Sequence, residues 1–296
     1  MIELTWVGEA LRWAGWVYWL LAIGALALAI TKIKPMAGKV ISVAAIVALF
    51  GYLPITAALE SKKAADARKA AWAHFEMRCK SAGEKIYKTV DGVEGIMLLK
   101  VRPKRLNRSD QFELDDPYGS DFRGDGYIES FLWGRNSKGI VSSKTTQGAF
   151  RFVDVIDPED GRWYRYTGHS DEVWKNNSND QRHVTEFKLE RRQVINDSAP
   201  RYGVTYDDIS TREDREIWVA GSSLKVIDLL TKEVIAERVG YMIDVGQGNT
   251  SGGRSPWFYA KNYACPSFTK NSSGHVMLDA YTRKFVEKVL KPIKGE

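Results

Sequence analysis

The side chains able to do chemistry occur in this chain as fragments of motifs. Asp121-x-Arg123-x-Asp125-Gly126-x-Ile128 begins as an EF-hand calcium loop begins, with glycine in the sixth place and an apolar residue in the eighth. Its third place holds the cation Arg123, and its twelfth holds Leu132 where calcium needs a bidentate glutamate. Two failures at ligand positions remove the motif. A looser cation site would draw on Asp115, Asp116, Asp121 and Asp125, and a solvated acidic loop is the plainer reading.

Gly246-x-Gly248, followed by Gly252-Gly253, has the composition of a phosphate cradle after an expected strand. Such a cradle needs a helix N-terminus directly behind it to aim free N–H groups at the anion. Arg254-Ser255-Pro256-Trp257 opens no amphipathic helix of useful length, so a flexible loop is expected. His169 with Asp171 and Glu172, or His183 with Glu186, are acid–base pairs on paper. A serine nucleophile would need a strained turn of the Gly-x-Ser-x-Gly kind, which is missing. The serines of Gly221-Ser222-Ser223 fall in an expected hairpin turn. The four histidines (His74, His169, His183, His275) and two cysteines are too scattered for a zinc set. No catalytic residue, metal site or cofactor is therefore assigned.

Cys79 and Cys265 bracket the polar part of the chain and read either as a disulfide staple, which would imply an oxidising compartment, or as two buried thiols that never meet. Closing a loop of about 185 residues stabilises by roughly 5 kcal/mol at most on the chain-entropy argument. Trp163-Tyr164-Arg165-Tyr166 sets large residues on both faces of a strand, so these aromatics, with Trp174, form a candidate interaction surface. Lys100, Arg102, Lys104, Arg105 and Arg108 crowd five cations into nine residues, a candidate basic patch for anionic headgroups or an acidic partner.

What must position these residues begins with two uncharged runs, Trp13–Thr31 and Val40–Leu59. As helices each spans roughly 28–30 Å, the thickness of a bilayer's hydrocarbon core. Trp6, Trp13, Trp16, Tyr18 and Trp19 cluster at one end of the first run and Tyr52 lies near the matching end of the second, as the headgroup interface favours. A secretory signal would carry a positive leading region, whereas Glu3 and Glu9 outnumber Arg12 here. Residues 1–59 are thus expected to form a transmembrane hairpin with the bilayer as partner. The connector with Lys32, Lys34 and Lys39 argues for a cytoplasmic loop, and Lys62, Lys63, Arg68 and Lys69 pull the other way. The cysteines tip the reading to a bacterial inner-membrane, multi-pass protein with its soluble domain in the periplasm.

Residues 60–84 are expected as a helical stalk, with Ala64, Ala67, Ala71, Phe75 and Cys79 as a narrow apolar stripe facing the domain and Gly83 as its C-cap. From there the period changes to two. Strands are expected at Ile96–Val101, Tyr127–Trp133, Ala149–Ile156, Trp163–Thr167, Thr185–Leu189 and Tyr202–Asp207. A meander follows, Ile217–Val219, Leu224–Leu229 and Val234–Ile243, with turns at Ala220-Gly221 and Thr231-Lys232-Glu233. A helix at about 276–290, stopped by Pro292, closes residues 85–296. The expected fold class is α+β: transmembrane hairpin, stalk, and a mostly antiparallel β-rich domain with a C-terminal helix.

The mean hydropathy of −0.32, despite some forty apolar residues, makes the remainder decidedly polar. The net charge of +6 and pI near 9.1 suit life beside anionic lipid, and no nucleic-acid-binding pattern accompanies them. The functional expectation is a non-catalytic interaction protein whose partner is another protein, such as a toxin it neutralises as an immunity protein or an envelope component it serves as accessory subunit. The alternatives are a membrane-bound hydrolase using Asp115, Asp116, Asp157 and Glu159 from separated loops, or a cytoplasm-facing sensor.

Overall fold

The structure, a computed structural model, describes residues 3–105, 107–113, 116, 122–132, 149–177, 180–269 and 281–293, with backbone only for 3–5, 7, 170 and 172–186. It is a mixed α+β chain with two long apolar N-terminal helices and a sheet-rich domain. Two compact units divide it, Met1–Lys69 and Ala70–Glu296, and the 60–84 segment contributes residues to both.

In the first unit, α1 (Glu3–Lys32) and the first part of α2 (Met36–Cys79) form an antiparallel hairpin. Ala22 and Ala29, two turns apart, are the buried residues of α1, and Tyr18, Ala25 and Leu26 are half-buried on the same side. Ala22, Ala25 and Ala29 make that side of α1 a face of small side chains. Pro54 sits inside α2 and has no N–H to give the carbonyl of Phe50 four residues earlier. The Tyr18 hydroxyl donates to that Phe50 carbonyl across the hairpin at 2.5 Å, so the group proline would orphan is satisfied. The Tyr18 and Phe50 rings also meet, 5.3 Å between centroids.

In the second unit the sheet runs β1 (Gly83–Ile86), β9 (Glu233–Ile243), β8 (Val219–Asp228), β7 (Tyr202–Asp208), β3 (Gly95–Leu98), β4 (Phe152–Ile156), β5 (Trp163–Asn177), β6 (Asp180–Gln193), and β10 (Ala264–Cys265) also pairs with β9. Most pairings are antiparallel, but β3 lies parallel to both β4 and β7, so the sheet is mixed. A second small sheet pairs β2 (Val90–Val93) parallel with β11 (Leu290–Pro292). The main core is built from Ile96, Leu98, Val153, Val204, Tyr206, Leu224 and Val226 of the sheet. Against them pack Tyr127 and Phe131 of α3 (Asp125–Leu132) and Phe285, Val286 and Val289 of α6 (Tyr281–Val289).

Several expectations change. Tyr127–Trp133 is no strand: the segment is α3, because Tyr127, Ile128, Phe131 and Leu132 recur at helical spacing and all turn into the core; Trp133 lies outside the described residues. Ala220-Gly221 is no turn. β8 runs unbroken through it, with glycine at 221 because a Cβ there would lie 2.5 Å from the Tyr241 ring on β9. Ser222 and Ser223 are consequently strand residues. Gly83 does not cap α2, which ends at Cys79; it opens β1 at φ +142°. The closing helix ends at Val289 and Leu290 begins a strand, while 276–280 lie outside the described residues.

Candidate functional site

The end of α2 is fixed to the sheet domain by three kinds of interaction. Ala71 and Phe75 are buried among Val219, Tyr241 and Ile243, with Cys79 beside them. Cys79 is joined to Cys265 of β10 by a disulfide with Cα atoms 5.7 Å apart. The third is Asp214, fully buried on α4 (Arg212–Glu216). Its carboxylate accepts from Arg78 Nε at 2.9 Å and Nη2 at 2.8 Å, and His74 Nε2 lies in contact. It also accepts from the Thr211 N–H at 2.8 Å, while the Thr211 hydroxyl takes the Asp214 N–H, a capping box. Burial works against the Asp214 charge, but the hydrogen bonds from Arg78, Thr211 and His74 outweigh it and hold its pKa below the usual carboxylate range. The same bond, the largest influence on Arg78, raises the guanidinium pKa.

Next to this joint lies the glycine loop, and its chemistry is already occupied. Asp244, fully buried at the end of β9, accepts from the N–H groups of Gly246 at 3.1 Å and Gly248 at 2.8 Å and pairs with Arg254. Amides that would cradle a phosphate are thus spent on the chain's own carboxylate. Gly248 is required: it sits at φ +78°, and a Cβ would lie 2.2 Å from the Trp218 ring. Trp218 in turn packs on Trp257 (centroids 5.2 Å apart), whose indole N–H donates to the Asp110 carbonyl at 2.6 Å. Trp257 belongs to α5 (Pro256–Ala260), a five-residue helix opened by Pro256 at its start, where no N–H is needed.

Anchoring Trp257 inward turns its neighbours outward. Phe258, Tyr259 and Tyr263 remain 45 %, 46 % and 41 % exposed, and Trp72 on α2 remains 36 % exposed. Trp72 meets Tyr263 edge-on at 5.9 Å and Phe258 meets Tyr259 at 5.7 Å. Arg254, whose guanidinium is paired with Asp244, lies 5.3 Å from the Tyr259 ring. Lys261 stands 3.7 Å over the Phe258 ring, and burial lowers its pKa. Four aromatics and Lys261 therefore form an exposed belt carried by α2, α5 and the turn after it, with Arg254 of the loop before α5 beside Tyr259. Aromatic faces with cations at their edges suit a partner that presents both apolar and anionic groups.

The residues singled out by sequence are dispersed. Tyr166 is in the main core, and Tyr164 is half-buried with the Arg191 guanidinium 3.5 Å over its ring. The half-buried Trp163 has its indole N–H enclosed without a hydrogen-bond partner among the described residues. Trp174 is on β5 opposite His183 of β6, its side chain outside the described residues. Of the five cations, Arg102 leaves the surface altogether. It is buried, pairs with Asp116 at 2.8 Å, donates to the Thr282 hydroxyl at 2.7 Å and stacks 4.7 Å over Tyr127. Lys100 lies 4.7 Å over the Tyr206 ring, Lys104 reaches Asp125 at 3.6 Å, and Arg105 and Arg108 are exposed.

The hydrolase carboxylates stand apart as well. Asp116 is held by Arg102 and by the Ser222 hydroxyl at 2.7 Å, Asp157 is paired with Arg191 at 2.6 Å, and Glu159 is exposed. His169 lies 3.4 Å from Asp171 and 3.3 Å from Glu190 on the exposed ribbon. Asp115, Asp121 and His275 lie outside the described residues, among which no three His, Cys, Asp or Glu side chains gather as a metal site. Sequence reasoning misses the belt because only the inward turn of Trp257 decides which of its neighbours face solvent. No protein-family model, curated protein or solved structure matches this chain, so the reading of the belt rests on its own chemistry.

Proposed function

We propose that the chain is a membrane-anchored, non-catalytic interaction protein of the bacterial inner membrane. In this reading residues 1–59 span the bilayer twice and 60–84 form a stalk. Residues 85–296 form the domain that captures a protein partner on the periplasmic side. The observation that carries it is the exposure of the apolar residues of α1 and α2. Only 11 % of the apolar window of α1 and none of that of α2 is buried, so a solvent of hydrocarbon is what would cover them. The Cys79–Cys265 disulfide supports an oxidising compartment for the domain, and the Lys32, Lys34, Lys39 connector supports a cytoplasmic loop. The aromatic belt is the surface offered to the partner, and anchoring raises the local concentration of the domain at the membrane. A toxin neutralised at the membrane, or a component of an envelope assembly, are partners of the right kind.

Two measurements test this. An impermeant maleimide applied to intact cells is expected to label Cys79 and Cys265 only after reduction; no labelling of the reduced protein in intact cells, with labelling once the cells are lysed, defeats the periplasmic assignment. A photo-crosslinking residue at Tyr259 is expected to give an adduct of discrete mass in cells, while one at the exposed Leu230 gives none. Equal yields at the two positions would remove the belt as the contact surface.

A further inference from the structure

The two ends of the sheet are guarded very differently. β1 is four residues long, and α6 reaches over to it through the Lys288–Glu84 pair at 2.8 Å. β6 at the other end is fourteen residues long, contains no proline, and pairs with β5 without a register shift. Among the described residues β4 pairs with β5 over Trp163–Tyr166 alone, and the rest of β5 and β6 continues as a two-stranded ribbon. Among the described residues no strand pairs with the outer side of β6, and a long, regular edge of this kind is a template for another strand unless its side chains repel one.

The side chains of β6 do not repel a copy of themselves. Around Leu189 the charges read Lys188 and Glu190, then Arg191 and Arg192. When two β6 strands pair antiparallel about a two-fold axis at Leu189, Lys188 stands opposite the copy's Glu190 and Glu190 opposite its Lys188. One step out, Phe187 meets Arg191, and Arg192 falls opposite Glu186 by register. Moving the axis to Lys188 or to Glu190 puts like charges on the axis itself, and the latter also sets Lys188 against Arg192. The solvent face fits this arrangement, because Lys188, Glu190 and Arg192 are exposed while Phe187 and Leu189 turn to the core. On the inner side of the same face Lys188 bridges to Asp171 at 2.7 Å and Glu190 to His169 at 3.3 Å, which holds both at the edge without covering it.

We infer that β6 is the interface for a second copy of this chain, pairing edge to edge about Leu189 to continue the sheet across a two-fold axis. Directly opposed charges on neighbouring strands set register, and reversing them costs enough to weaken pairing on the order of ten-fold here.

The test uses the full chain in detergent, its mass followed by light scattering over a dilution series. The wild type is expected as two copies. Lys188→Glu and Glu190→Lys are each expected to be one copy at the same concentration, since each sets like charges opposite twice. Mixing the two variants is expected to restore a two-copy species, because both 188–190 pairs are then attractive, and that rescue also shows both variants folded. A wild type of one copy at tens of micromolar, single variants that remain at two, or a mixture that stays at one would each overturn the inference.

Discussion

Up to Lys69 the chain keeps its large apolar side chains outside, with Leu20, Leu49 and Tyr52 at 64 %, 71 % and 65 % exposed. The sheet domain does the reverse and buries even charged groups, among them Arg102, Asp154, Asp214, Arg215 and Asp244. The first unit has almost nothing polar to hide and settles one carbonyl with one tyrosine. The second must answer the charges it hides, Arg102 with Asp116, Asp154 with Arg165, Asp214 with Arg78, Asp244 with Arg254. The difference follows from what each unit buries against. Apolar helices need only satisfied backbones, whereas a buried charge is costly unless it is paired and hydrogen-bonded.

The sharpest way to break the comparison is to remove one side of a buried pair. Arg102→Ala leaves Asp116 buried with the Ser222 hydroxyl and is expected to cost about 3–5 kcal/mol of domain stability. Replacing both partners by apolar residues (R102M with D116L) is expected to cost much less, since no uncompensated charge remains. Denaturant unfolding of the full chain in detergent, followed by tryptophan fluorescence, measures both. Equal losses in the two proteins would show that packing rather than charge is at stake. Cys79→Ser is the next largest: opening a bridge across 186 residues is expected to cost about 2–5 kcal/mol. Loss of protection from hydrogen exchange is expected to fall on 70–79 and 264–269 before β7 and β8.

These pairings are also where the sequence stops being legible. The apolar runs of α1 and α2, and strands such as β7 and β9, follow from periodicity because each residue's neighbours along the chain decide its side. Arg102 looks like one of five surface cations because its partners are distant, Asp116 fourteen residues on and Thr282 one hundred and eighty on. Gly221 looks like a turn because the Tyr241 ring that excludes a Cβ belongs to another strand. The short apolar segment of α3 contains a helical repeat, but its β-rich surroundings in the sequence favour the wrong period. For the same reason the belt is not legible as a surface.

A gentler break acts through pH on the joint between α2 and the domain. Asp214→Asn keeps the capping geometry but removes the charge answered by Arg78, and is expected to cost about 1.5–3 kcal/mol at neutral pH. Because the folded pKa of Asp214 lies below its unfolded value of about 3.9, its stabilisation is fully present above that value. It is lost as pH falls through the lower folded value. The gap between wild type and Asp214→Asn should therefore close in the acid range below about 4. A gap that closes between pH 6 and 7 would point to another group.

The smallest expected effect is in the hairpin, and it sharpens the comparison most. Tyr18→Phe keeps the ring contact with Phe50 but removes the hydroxyl, leaving unpaired the carbonyl that Pro54 cannot serve. In water such a carbonyl would turn to solvent at little cost; in hydrocarbon, where the proposed function puts the hairpin, it would find no water, so a loss of about 0.6–1.7 kcal/mol in hairpin association is expected. Pro54→Ala restores the helical N–H and should make Tyr18→Phe nearly silent, which ties the effect to that one carbonyl. Reversible unfolding in lipid bicelles would read the double-mutant cycle, with the domain's denaturant midpoint unchanged throughout. Additive losses from the two substitutions would mean that the hydroxyl serves something other than the proline's missing bond.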